Sequence, residues 1–181
     1  LKGLSIPYLR TLLEHVGPYG DVLVTGDDLG MTAGPMMSPQ AYRRLIKPHH
    51  AELLATIKQH TPGKIFFHSC GNSHALLDDL ADVGVDLINP VQVSAKGMGD
   101  TKKLKAQYGR HLTFWGGIDT QRVLPFATPA EVKDEVRRRI EDLAPGGGFI
   151  LGAVHNIRPE IKPENICALY EAAQEYGKYT K

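Results

Sequence analysis

An α/β fold built on a parallel sheet is the class this sequence predicts, and three observations predict it. Short apolar runs rich in Val, Ile, Leu and Phe alternate along the chain with longer stretches whose apolar residues recur at helical spacing. Each run is nearly continuously apolar and bounded by Gly, Pro or Asp, the pattern of strands buried on both faces. Each also ends in polar residues, at the edge where parallel α/β folds carry their chemistry.

The elements follow in order. SIPYLRTLLEHVG (5–17) reads as a helix, and DVLVTGD (21–27) as the first strand. SPQAYRRLIKPHHAELLATIKQH (38–60) begins with a serine N-cap, and Pro48 should break or kink it. KIFFHSC (64–70) is the second strand, and NSHALLDDLADVG (72–84) a helix closed by a C′-type glycine. DLINPVQ (86–92) and LTFWGGI (112–118) are the third and fourth strands. TPAEVKDEVRRRIEDLAPGGG (128–148) opens with Thr-Pro, favourable chemistry for the N-cap and first helical position. Its three glycines enter a strand rather than open a helix, so they read as a tight turn and not as a phosphate cradle. GFILGAV (148–154) is the fifth strand, and PENICALYEAAQEYG (163–177) the last helix.

Strand–helix alternation admits either a (βα)8 TIM barrel or a small open doubly wound sheet. Five units fall short of the eight in a complete barrel of about 250 residues. The chain also starts without methionine and is helix-like almost at once. The expectation is therefore one domain over 1–181, forming the C-terminal five or so units of a barrel whose N-terminal part is missing.

The chain has 181 residues, 42% hydrophobic and 23% charged, with a formal net charge of +1, enough to bury one substantial core. A charge so near zero argues against nucleic acid or an anionic membrane as partner. The basic clusters at 102–103 and 137–139 have acidic neighbours and read as solvated helix faces. No stretch has the apolar length of a bilayer span, and no signal-peptide pattern opens the chain. With Cys70 and Cys167 as the only cysteines, a reducing cytoplasm is the expected compartment.

The polar strand ends carry the functional expectations. They hold Asp27 and Asp28, then His68 and Cys70, then Asn89 and Gln92, then Asp119, then His155 and Asn156. His68 and Cys70 are two apart, so on a strand both side chains point to one face. Zinc takes imidazole nitrogen and thiolate sulfur, and catalytic sites use three protein ligands with one position open, so His155 would complete His68 and Cys70. The alternative is that the pair simply packs. Asp27 and Asp28 read as turn residues or substrate-binding carboxylates, and Asp119 as an N-cap or a functional carboxylate. His49, His50, His60, His74 and His111 read as surface residues, and Cys167, among Ile166, Leu169 and Tyr170, as core.

FFHSCGN, GVDLINPVQ, LTFWGGIDTQ and GGGFILGAVHNIRPEIKPENI, with GPMMSPQAYRRLIKPHH upstream, together resemble the C-terminal half of the uroporphyrinogen decarboxylase (URO-D) superfamily. The resemblance covers nearly the whole chain and implies a (βα)8 barrel. It also implies one of several activities: porphyrinogen decarboxylation in porphyrin biosynthesis, a lyase reaction, or methyl transfer linked to a corrinoid. True decarboxylases share a histidine at the position of His155 but carry a glycine-rich segment in place of HSCGN. The zinc-dependent methyltransferases carry H-x-C-G-N, which matches His68, Cys70, Gly71 and Asn72. Their third ligand is a cysteine where this chain has His155. A further acidic ligand is expected near the third strand, where this chain offers Asn89 and Gln92. The resemblance therefore implies a zinc site of His68, Cys70 and His155, while the polar strand ends themselves supply the expected catalytic residues Asp28, Asp119 and His155 and the expected substrate contacts Asp27, Asn89, Gln92 and Asn156. It implies a methyltransferase acting on a small methylated substrate or a corrinoid, with a corrinoid protein as partner and a homodimer as the expected assembly. The alternatives are porphyrinogen decarboxylation, or a barrel that binds a ligand or cobalamin without chemistry.

Overall fold

A computed structural model describes residues 2–178. Helix α1 (Lys2–Val16) and a 3-10 turn (Gly17–Tyr19) lead into β1 (Val22–Gly26). Then come α2 (Pro39–Leu45), α3 (Lys47–His60) and β2 (Lys64–His68), and a 3-10 turn (His74–Leu76) that runs into α4 (Leu77–Asp82). The pattern continues with β3 (Leu87–Val91), α5 (Thr101–Tyr108), β4 (Thr113–Ile118), α6 (Val123–Phe126), α7 (Pro129–Leu143), β5 (Phe149–Ala153) and α8 (Pro163–Tyr176).

All four strand pairings are parallel, in the order β1-β2-β3-β4-β5. An open doubly wound sheet reverses its order at a switch point. A consecutive order with helices between the strands is instead that of a (βα) barrel, present here over five strands. Each of the five expected runs contains its strand. The register sets Gly26 opposite His68 and His68 opposite Asn89, so the carboxyl ends of the first three strands lie in one row.

The period of two divides each strand between two faces. Ile65 and Phe67 of β2 join Leu54, Ile57, Leu80, Ile88 and Phe114 in a buried cluster under the helices. Phe66, between them, meets Trp115 edge-to-face at 5.0 Å. A second cluster, with Ile118, Leu124, Val132, Val136, Leu169 and Ala172, packs α7 and α8 over the end of the sheet.

The expected punctuation is present. The Ser38 hydroxyl accepts from the Ala41 N–H at 3.1 Å, and the helix that follows breaks at Ile46, so Pro48 falls in the first turn of a new helix. Thr128 and Glu131 form a reciprocal capping box at the start of α7. The turn of Gly146, Gly147 and Gly148 runs at positive φ throughout, and Lys105 donates to the Gly147 carbonyl.

Three expectations are corrected. Arg139 does not lie on a solvated face: it is buried, its guanidinium paired with Glu135 at 2.8 Å and bonded to Thr101 and the Gly99 carbonyl, because α7 turns that side towards α5. Cys167 is exposed, since Ala168, Leu169 and Ala172 are the positions of α8 that enter the core. His50 is buried rather than on the surface. No helix among the described residues is long and apolar enough to cross a membrane.

Candidate metal centre

Parallel pairing makes neighbours of the segments that leave β1 and β2. Beyond Gly26 come Asp27 and Asp28, and beyond His68 come Ser69 and Cys70. His68 and Cys70 share a face, and the Cys70 Sγ lies 3.3 Å from His68 Nε2. On the far side of the ring, His68 Nδ1 lies 2.8 Å from the Asn89 side-chain oxygen. That oxygen is an acceptor, so Nδ1 carries the proton and Nε2 keeps its lone pair towards Cys70. The Asp28 carboxylate accepts from the Cys70 N–H at 2.9 Å. One ligand-capable atom from each of Asp28, His68 and Cys70 lies within 4.8 Å of the others.

The two segments are stitched together around this cluster. The Leu29 N–H donates to the Ser69 hydroxyl at 3.1 Å, and the Asn72 N–H to the Met31 carbonyl at 2.8 Å. The Gln92 side chain accepts from the Gly71 N–H at 2.8 Å, tying in the loop after β3. The backbones approach so closely that a Cβ on Gly30 would lie 2.5 Å from the Cys70 carbonyl oxygen. Gly71, at φ +81°, faces Gly30 from the other side. Glycine at both positions is what lets the carboxylate reach the imidazole and thiol.

Burial pushes the Cys70 thiol up, and the nearby Asp28 carboxylate pushes it further. The thiol therefore keeps its proton and donates a hydrogen bond to His68 Nε2. A divalent cation would reverse that balance, because thiolate, neutral imidazole and carboxylate all bind it better than they tolerate one another's company. A nitrogen, sulfur and oxygen donor set with its histidine already oriented suits zinc. On donor chemistry the three residues fit the ion.

The other expected site residues are placed differently. His155 and Asn156 are exposed beyond β5 and line a cavity of about 440 Å³ with Thr120, Gln121 and Phe126. The one group of three metal-capable side chains among the described residues is Asp28, His68 and Cys70, so His155 is not brought to the pair and Asp28 stands there instead. Asp27 turns away from the cluster to His50 Nε2, 3.1 Å distant. Asn89 and Gln92 are spent on orienting His68 and Gly71. Asp119 is buried and accepts from the Gln121 and Arg122 N–H groups at 2.7 and 3.1 Å, so its carboxylate caps the turn before α6. Sequence reasoning missed the placement of Asp28 beside His68 and Cys70 and the burial of His50. The adjacency of consecutive parallel strand ends could have indicated the first; nothing local indicated the second.

The family model for uroporphyrinogen decarboxylase (URO-D) matches residues 4–176. A protein of Idiomarina loihiensis named uroporphyrinogen decarboxylase is 23% identical over 93% of this chain and 47% of its own length. A Methanosarcina barkeri protein named methylcobamide:CoM methyltransferase MtaA is 28% identical over 95% of this chain and 46% of its own. The solved structure of a methyltransferase from Methanosarcina mazei superposes with a TM-score of 0.72 at 23% identity, covering 98% of this chain and 48% of that one, and shows the shared fold. The chain thus spans about half the length of the curated relatives it matches.

Proposed function

As a member of the uroporphyrinogen decarboxylase (URO-D) family, the chain carries, we propose, the metal-dependent methyl-transfer chemistry found in one branch of that family, with Asp28, His68 and Cys70 holding a zinc ion. The observation that carries this reading is the convergence of a carboxylate, an imidazole with its outer nitrogen already bonded, and a thiol at adjacent strand ends. Zinc in such a site would lower the pKa of a thiol placed beside it and keep that thiol as a nucleophile for a methyl group. The chain's own residues do the rest. Asn89 keeps the His68 proton on Nδ1, Gln92 holds the loop that carries Cys70, and Asp28 supplies the third donor.

A small-molecule thiol seated beside Asp28, His68 and Cys70 is the proposed methyl acceptor. A methylated corrinoid, carried by a partner protein, is the proposed methyl source, supported by the name of the M. barkeri relative. The cysteine ligand that the methyltransferases carry at the position of His155 has no counterpart in the cluster, and the Asp28 carboxylate takes its part.

The test is elemental analysis of the intact protein, purified under reducing conditions without chelator, beside a His68→Ala, Cys70→Ser double variant. The expected result is close to one zinc per chain, lost in the variant. A well-folded wild type without metal would overturn the reading. One observation favours a second reading: the I. loihiensis relative aligned over nearly the whole chain is named a uroporphyrinogen decarboxylase. Metal-free protein that releases carbon dioxide from a porphyrinogen would establish that alternative. Metal-free protein without turnover would leave a barrel that binds a ligand or cobalamin.

A further inference from the structure

Behind the candidate centre lies a chain of buried polar contacts that no step above uses. Tyr42, on α2, is fully buried, and its hydroxyl lies 3.0 Å from Nδ1 of His50 on α3. His50 is itself only 6% exposed, and its Nε2 lies 3.1 Å from an Asp27 carboxylate oxygen. The ring also stands edge-on to Phe67 at 5.2 Å, on the strand that carries His68. The carboxylate can only accept, so Nε2 carries the proton and Nδ1 accepts from the Tyr42 hydroxyl.

A buried imidazole with both nitrogens engaged is either core filler that happens to be satisfied or a device that holds something. What it holds is Asp27, whose side chain is otherwise mostly in water. Successive side chains along extended backbone point to opposite sides. With Asp27 drawn outward to the helices, Asp28 faces the other way, where its carboxylate meets the Cys70 N–H and the donor atoms of Cys70 and His68. The Asp27 N–H also donates to the His68 carbonyl at 3.0 Å, so the same residue is pinned at backbone and side chain.

A proton wire is the competing role, and the far end of the chain argues against it. Burial, with added repulsion from the Asp79 and Asp27 carboxylates, pushes the Tyr42 phenol well above its ordinary pKa. The chain ends at a fully buried hydroxyl that neither takes up nor loses a proton near neutrality. It is an anchor.

We propose that Tyr42 and His50 are positioning residues that decide which of the two adjacent carboxylates enters the candidate metal centre: by holding Asp27 outward, they present Asp28 to His68 and Cys70. This rests on the metal reading above. Two neighbouring aspartates could each serve as the oxygen donor, with the chain shifted or the peptide turned. The hydrogen bond from His50 removes that ambiguity before any ion arrives.

The test compares His50→Phe, His50→Gln and Tyr42→Phe in the intact protein. Phenylalanine keeps the ring and its packing on Phe67 but removes the donor to Asp27; glutamine keeps an N–H donor at about the depth of Nε2. The probes are zinc, by competition with a chromophoric chelator, and cobalt(II), whose visible spectrum reports the donor set. Thermal unfolding without metal is followed in parallel. The expected result is a zinc affinity reduced about tenfold or more in His50→Phe, within the range for loss of an orienting partner. A changed cobalt band should accompany it. His50→Gln should recover most of both, and Tyr42→Phe should fall between. A purely structural His50 would lower the unfolding temperature in all three while leaving the affinity and spectrum of the folded protein as in wild type, and that result would overturn the proposal. A wild type that binds neither ion would remove the metal reading and this one with it. A wild type that binds both, with the His50→Phe affinity unchanged, would remove this one alone.

Discussion

Asp79 shows how much a single side chain can be asked to hold. Its carboxylate is almost entirely buried at the start of α4, and it takes both oxygens to Arg43 Nε at 2.9 and 3.0 Å and one to Lys47 Nζ at 2.8 Å. Burial alone pushes this carboxyl up, but the hydrogen bonds from Arg43 and Lys47 outweigh it and hold the group below the ordinary carboxylate range. The sign of the pH dependence follows. A carboxyl with a lowered pKa in the folded state contributes stability above its ordinary pKa of 3.8, and loses it as the pH falls through the lowered value. Asp79→Asn should therefore cost about 1–2 kcal/mol at pH 7, the lower part of the range for charged hydrogen bonds because Arg43 is half exposed. Urea titrations at pH 7 and pH 3 should show the gap between variant and wild type closing in acid. An equal gap at both would refute the pairing as its source.

Among the elements, α7 carries the clearest local code. Thr128 at the N-cap, Pro129 at the first helical position and Glu131 three residues after the cap satisfy the free N–H groups of the first turn. Val132 and Val136 bury one face against α8, and Glu135 and Arg139 pair along another. Replacing Thr128 with alanine should lower stability by about 1 kcal/mol, the usual value of such a cap. A shift in the urea midpoint at unchanged slope is the expected sign. The break between α2 and α3 was also legible, because Pro48 cannot continue a helix. Its consequence was not: the helix that restarts at Lys47 carries His50, which is buried beside Asp27. Short helices were the harder reading. The four residues of α6 carry no periodic signal and are ordered by the Asp119 carboxylate and by Asn165, whose amide donates to the Leu124 and Ala127 carbonyls.

At the scale of the molecule, β1 and β5 are the edges of the sheet among the described residues, each with one hydrogen-bonded neighbour there. On β1, Val22 and Val24 are exposed, Val24 at 74%, so this edge combines free backbone groups with apolar side chains. Such an edge templates pairing with another chain. The isolated 181-residue chain should therefore associate with rising concentration in sedimentation velocity. Val24→Lys should shift it towards monomer while changing stability by less than about 0.5 kcal/mol, as expected of an exposed position. Association unaltered by the lysine would place the contact elsewhere.

Much of the architecture was determined by the sequence on its own, because its signals are local. Apolar runs bounded by turn residues marked all five strands, and the caps at Ser38 and Thr128 marked two helix starts. The His68–Cys70 pair was legible for the same reason: a spacing of two on extended chain is enough to place two side chains together. What tertiary structure decided depends on which elements lie side by side, and that no local window contains. It set β1 next to β2, and so put Asp28, forty residues earlier in the chain, beside His68 and Cys70. It left His155, three strands away across the sheet, lining a separate cavity. And it buried His50 and Arg139, which look like surface residues by type, because ions and imidazoles enter a core only where distant partners meet them.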